Sequence, residues 1–165
     1  FVSYRAACRI AACRAAGRQV GLKGPFTDKG QRMSHCFDIR VYYEDTDLAG
    51  IVYYANYLKF IERARSEWVR GLGISQALLK ADQGVVFAVR RVVADYLAPA
   101  VFDDLLQVVT SPLKVTGARI VLDQCVVWGD QTLFQAEVTL VCLTGKGTAA
   151  RLPADVRAAL SAGIG

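Results

Sequence analysis

From about Asn56 to Arg70 the chain adopts a helical period over a longer run than anywhere else. Leu58, Ile61, Arg65, Trp68 and Leu72 recur at helical spacing, and Tyr57, Phe60 and Ala64 widen the stripe. Asn56 is placed to cap the start, and Gly71 and Gly73 end the helix. Glu62 is spaced to pair with Arg65, and Arg63 with Glu67, on the flanks. The other strongly patterned stretches read as strands. "HCFDIRVYY" (35–43) alternates, with Phe37, Ile39, Val41 and Tyr43 on one face. "VVFAVRRVVADYL" (85–97) is stopped by Pro99, and "DDLLQVVTSPLKV" (103–115) carries Pro112, which predicts an edge position or a bulge. "ARIVLDQCVVW" (118–128) and "TLFQAEVTLVCLT" (132–144) are joined through Gly129, Asp130 and Gln131, a hairpin turn. Residues 73–84 read as a polar connector, and those after Thr144 as a loop with a short helix.

A strand, one long helix and four further strands, mostly antiparallel, make an α+β chain with a five-stranded sheet. One helix covers only one face of such a sheet. A second subunit is the natural means of completing the sheet or covering its edge, so the pattern predicts an obligate dimer.

Composition sets the remaining bounds. A chain of 165 residues, 53% of them hydrophobic, supplies one core, and no apolar run reaches the roughly 18 residues that suggest a membrane span. Five cysteines without a CxxC pair do not read as a disulfide framework, and a reducing cytoplasm is the simpler setting. The net charge of +5 is unevenly held. Residues 1–32 carry seven Lys/Arg and one acid, and the rest of the chain is close to neutral. The basic balance therefore belongs to the leader and is poor evidence for nucleic-acid binding. The leader is expected to be disordered or non-native, with Met33 as the natural start. Its arginines at 5, 9, 14 and 18 also fit a targeting peptide. The expected organisation is a leader at 1–32, a domain at 33–153 and a tail at 154–165.

Most catalytic patterns are absent. His35 is the only histidine, at a strand start, which argues against Ser-His-Asp and Cys-His sites. No zinc spacing or calcium loop is present, so no metal is expected. "TGKGT" (144–148) lacks P-loop spacing and reads as a turn. What stands out is "YYEDTDLAG" (42–50), with Glu44, Asp45 and Asp47 crowded ahead of the helix. A helix start offers unpaired amides and partial positive charge, which stabilise an oxyanion and keep a nearby carboxylate ionised. Gly50 would let the backbone approach a ligand. The pattern suits attack on an acyl carbonyl, and equally suits acids that merely offset the helix dipole.

The run "YYEDTDLAGIVYYANYLKFIERARSEW" (42–68) resembles the hot-dog-fold acyl-CoA thioesterases of the 4-hydroxybenzoyl-CoA thioesterase type, and most of all the Tol-Pal system-associated group. An acid-x-Asp-x-x-Gly motif, aromatics, Asn-Tyr and Glu-Arg-Ala-Arg run from Glu44 to Arg65, and "ADYLAPAVFDDLL" (94–106) also matches. The similarity covers about Ser34 to Pro153. It implies a hot-dog fold, a sheet wrapped on one long helix, dimeric or tetrameric, that hydrolyses acyl-CoA in the cytoplasm. Coenzyme A is then part of the substrate rather than a cofactor, and an acyl carrier protein is a further partner. Under the resemblance Asp47 takes the catalytic aspartate's place, attacking the thioester carbonyl or activating water, and the Tyr54 backbone amide polarises that carbonyl; Gly50 and Asn56 fall in the substrate-binding region. One departure is Tyr54, where several Tol-Pal-associated members carry histidine. Arg90 and Arg91 are candidates for the CoA phosphates. Strand alternation lets at most one serve, and surface charge is the plainer reading of both. A hot-dog enzyme using Glu62 and a non-catalytic acyl-carrier or Tol-Pal envelope-partner adaptor are the alternatives.

Overall fold

The computed structural model describes residues 34–162 and Ile164, so the leader and the Met33 start lie outside the described residues. The elements in order are β1 (His35–Arg40), α1 (Asn56–Gly71), α2 (Gln76–Gln83), β2 (Val85–Tyr96), β3 (Leu105–Val115), β4 (Arg119–Trp128), β5 (Gln131–Thr144) and α3 (Ala154–Ser161). The strands form one sheet in the order β1-β3-β4-β5-β2, and each neighbouring pair is antiparallel. This is the expected five-stranded sheet with one long helix lying on it.

The stripe that α1 buries is turned from the one anticipated. Tyr57, Phe60, Ile61, Ala64, Trp68 and Val69 are buried, whereas Leu58 stays 39% exposed. Their partners on the sheet include Ile39, Leu106, Val108, Leu122, Val126, Phe134 and Val138. Each large side chain buried this way contributes about 2 kcal/mol. Arg65 is not part of an apolar stripe at all. Its Nη1 donates to Gln124 Oε1 at 2.9 Å, and Gln124 is fully buried. The Gln124 Nε2 donates to the Ile61 carbonyl and to Thr110 Oγ1, both at 2.9 Å. A polar clamp therefore fixes the middle of α1 to β3 and β4. The ion pairs anticipated on α1 do not form: Glu67 pairs with Arg70, and Glu62 accepts from Ser66 Oγ at 2.8 Å.

Two other expectations are corrected. The connector contains α2, capped by Ser75, whose Oγ accepts from Leu78 N at 3.3 Å, and closed by Gly84 at φ 64°. α2 is eight residues long and buries Leu79 alone, so its apolar face is short. Pro112 in β3 bears out the expected bulge, since the register with β4 shifts between Pro112 and Lys114; the pairing with β1 ends at Thr110. The folded unit also continues beyond Pro153, because Val156 and Leu160 of α3 are buried in the same core. The hairpin expected between the last two strands is present, with Trp128 opposite Gln131 and Gly129 at φ 57°. Cys142 is a buried free thiol, and the bonding of Cys36 and Cys125 falls outside the described residues.

Replacing Gln124 with Ala would leave the Ile61 carbonyl, Thr110 and the Arg65 guanidinium short of partners in a dry site. Gln124→Ala is expected to lose about 3 kcal/mol of unfolding free energy, measured by urea titration.

Candidate active site

The acidic segment resolves into three carboxylates with three different surroundings. Glu44 is exposed. Asp45 is 3% exposed and closes a short 3-10 turn over Tyr43–Asp45, its Oδ2 accepting from Tyr42 N at 3.0 Å. The Asp45 carbonyl accepts from Tyr53 N at 2.8 Å and from Asn56 Nδ2 at 3.0 Å. The turn is thereby tied to the first residue of α1. Asn56 is thus not the N-cap. Ala55 holds that position without a side-chain cap, and the buried Asn56 amide serves the loop instead.

Asp47 follows in a tight hairpin. Its N donates to the Ile51 carbonyl at 2.9 Å, and Gly50 N donates to the Asp47 carbonyl at 2.9 Å. Gly50 takes φ 74°, the left-handed conformation that a three-residue loop of this kind requires of its last residue. A Cβ on Gly50 would meet no atom within 4 Å, so conformation rather than crowding accounts for the glycine. The Asp47 Oδ1 accepts from Ala49 N at 2.9 Å, which fixes the carboxylate while the residue stays exposed. None of the first-turn residues of α1 is acidic, so Asp47 does not offset the helix dipole from within the helix.

The hairpin is held against the segment between β2 and β3. Val52 N donates to the Ala100 carbonyl at 2.8 Å, and Ile51 bridges Val101. The Tyr57 hydroxyl accepts from Ala100 N at 3.0 Å, which joins that segment to α1. Among the described residues, the Tyr54 amide donates to no protein acceptor. It precedes α1 by two residues, where free amides are expected.

An aromatic series runs inward from this surface, and sequence reading missed it. Tyr53 and Tyr54 have ring centroids 4.6 Å apart, Tyr54 and Tyr96 6.3 Å, and Tyr96 and Phe134 5.1 Å. The Tyr53 phenol is pushed above its ordinary pKa, chiefly by the neighbouring Tyr54 hydroxyl. The signal available in sequence was the spacing of Tyr53, Tyr54 and Tyr57, which reads as helix stripe until the loop is folded. Glu62 lies along α1 with Ser66, well past the loop.

No group of three or more metal-ligating side chains occurs among the described residues, and no helix is long and apolar enough to cross a membrane.

Comparison with known proteins agrees with the fold. The family described as "Thioesterase superfamily" matches residues 49–135. The acyl-CoA thioesterase YbgC of Haemophilus influenzae is 42% identical over 124 residues, 74% of this chain and 91% of its own. The acyl-CoA thioester hydrolase YbgC of Escherichia coli is 44% identical over 106 residues, 64% of this chain and 78% of its own. A probable thioesterase of known crystal structure from Bartonella henselae is 37% identical with a TM-score of 0.70, covering 73% of this chain and 99% of that one. The expected resemblance and fold are borne out.

Gly50→Ala is expected to cost about 1–2 kcal/mol in thermal or urea unfolding, because the left-handed conformation is retained by the hairpin around it.

Proposed function

This chain belongs to the thioesterase superfamily, and on that premise we propose that it hydrolyses acyl-CoA to the free acid and CoA, with Asp47 as the catalytic carboxylate. The reading is carried by one observation. Asp47 is held by Ala49 N through Oδ1 and remains exposed, on a hairpin tied to the start of α1, where the Tyr54 amide has no protein acceptor. Asp47 Oδ2 attacks the thioester carbonyl, the C–S bond breaks, and CoA leaves as the thiol after taking a proton from water. Water then hydrolyses the mixed anhydride and restores the carboxylate. The Tyr54 amide donates to the oxygen that becomes negative during attack, as an oxyanion hole does. Gly50 shapes the hairpin that presents Asp47, and Asn56 acts on substrate through the loop that it fixes. The substrate assigns the reaction to the cytoplasm, where CoA thioesters are made and consumed.

Asp47→Asn retains an oxygen for the Ala49 amide and removes the charge. Turnover of acyl-CoA should fall by about two orders of magnitude or more, with little change in melting temperature. Asp45→Asn should have a much smaller effect on turnover, because Asp45 is buried and its Oδ2 is taken up by Tyr42 N. Near-normal turnover in Asp47→Asn, with loss in Glu62→Gln, would reassign the site.

The same reading includes a homodimer, or a tetramer of two dimers. β2 is an edge strand, and Val89, Val92, Val93 and Tyr96 along it are 38–49% exposed. An apolar edge of this length is a template for pairing with a second copy. Light scattering should give at least twice the chain mass of 18.0 kDa. A stable monomer at micromolar concentration would exclude the assembly.

A further inference from the structure

Residues 97–104, between β2 and β3, are tied down by two side chains that the proposed reaction does not use. Tyr57, in the first turn of α1, accepts from Ala100 N on its hydroxyl at 3.0 Å. Asp104 Oδ2 accepts from Val101 N at 2.8 Å. The two amides are consecutive, and each belongs to a residue that meets the hairpin carrying Asp47. The Ala100 carbonyl accepts from Val52 N at 2.8 Å, and Val52 bridges Thr46. Val101 bridges Ile51, whose carbonyl accepts from Asp47 N at 2.9 Å. Two short paths thus reach the backbone at Thr46 and Asp47, one from α1 through Tyr57 and one from Asp104.

The hairpin's other tie to α1 lies at the Asp45 carbonyl, which Asn56 and Tyr53 N hold. A hairpin fixed at that point alone pivots about it, and the contact with residues 97–104 supplies the second point. Tyr57 moves no proton in this arrangement. Its ring stacks on Phe134 with centroids 5.2 Å apart, and burial raises the phenol above its ordinary pKa, so it stays neutral in the working range. Removing the hydroxyl alone keeps that ring in place but strips the acceptor from an amide on a fully buried residue. The segment relieves this by shifting at residue 100, and the shift passes to Val52 and Thr46. A displacement of about 1 Å between reacting groups lowers a rate by about a hundredfold.

We propose that Tyr57 and Asp104 are positioning residues, which act through residues 97–104 to set the separation of the Asp47 carboxylate and the Tyr54 amide. The proposal rests on the acyl-CoA reading given above.

The test is steady-state acyl-CoA hydrolysis by Tyr57→Phe, Asp104→Ala and the double variant, well below their melting temperatures. Tyr57→Phe should lower kcat by about ten- to hundredfold with KM nearly unchanged and the shape of the pH–rate profile retained. Asp104→Ala should act in the same direction, and Asp104→Asn, which keeps an oxygen for Val101 N, should recover most of the loss. The double variant should lose less than the product of the two single effects, since both displace one hairpin. Amide hydrogen exchange over residues 46–52 should quicken in both single variants, independently of turnover. Val156→Ala, which destabilises the core under α3, should keep the kcat of the unaltered protein. Unchanged kcat in Tyr57→Phe and Asp104→Ala, or an equal loss in Val156→Ala, would overturn the proposal, and so would an altered pH profile in Tyr57→Phe. Failure of the unaltered protein to hydrolyse any acyl-CoA would overturn the acyl-CoA reading, and this proposal with it.

Discussion

The burial of one face of α1 on the sheet is the contact on which the other features depend. Tyr57, Phe60, Ile61, Ala64 and Trp68 supply its apolar surface, and Gln124 fixes its rotation through the Ile61 carbonyl and Arg65. A helix held only by apolar contacts has some freedom to turn or slide. One buried side chain of β4 with directional bonds to β3 and the helix removes that freedom. With α1 fixed, the direction of its first residues is fixed as well. Asn56 then reaches the Asp45 carbonyl, and Tyr57 reaches Ala100. The site is an extension of the core rather than an independent loop.

That extension separates the work of the acids. Asp45 gives its side chain to Tyr42 and its carbonyl to Tyr53 and Asn56, so it builds the loop. Asp47 gives one oxygen to a local turn and stays in solvent, so it is oriented without being consumed by structure. Crowding of like charges is tolerable because the cluster is split between a buried, hydrogen-bonded group and exposed ones. The aromatic rings from Tyr53 to Phe134 form the floor beside it.

Much of this was legible in the sequence, for physical reasons that can be named. All five strands and α1 were visible because each is a patterned apolar run bounded by turn residues. α2 was missed as an eight-residue helix that buries only Leu79. Tyr57, Phe60 and Ala64 were read as the flank of the α1 stripe and are buried with Ile61 and Trp68, whereas Leu58 is 39% exposed. Gln124 and Asn56 escaped for a different reason. Their roles depend on backbone carbonyls, which every residue has and no sequence pattern marks. Asp47 and Tyr54 were found through resemblance; the residues alone left open whether the acids offset the helix dipole.

The proposed site requires a thioester carbonyl to lie between Asp47 and the Tyr54 amide at the start of α1. The most direct measurement is a crystal structure with a non-hydrolysable ketone analogue of acyl-CoA, in which a methylene replaces the thioester sulfur. The account predicts the carbonyl oxygen within hydrogen-bonding distance of Tyr54 N and the carbonyl carbon in contact with the Asp47 carboxylate. A carbonyl seated beside Glu62, or away from both Asp47 and Tyr54, would contradict it.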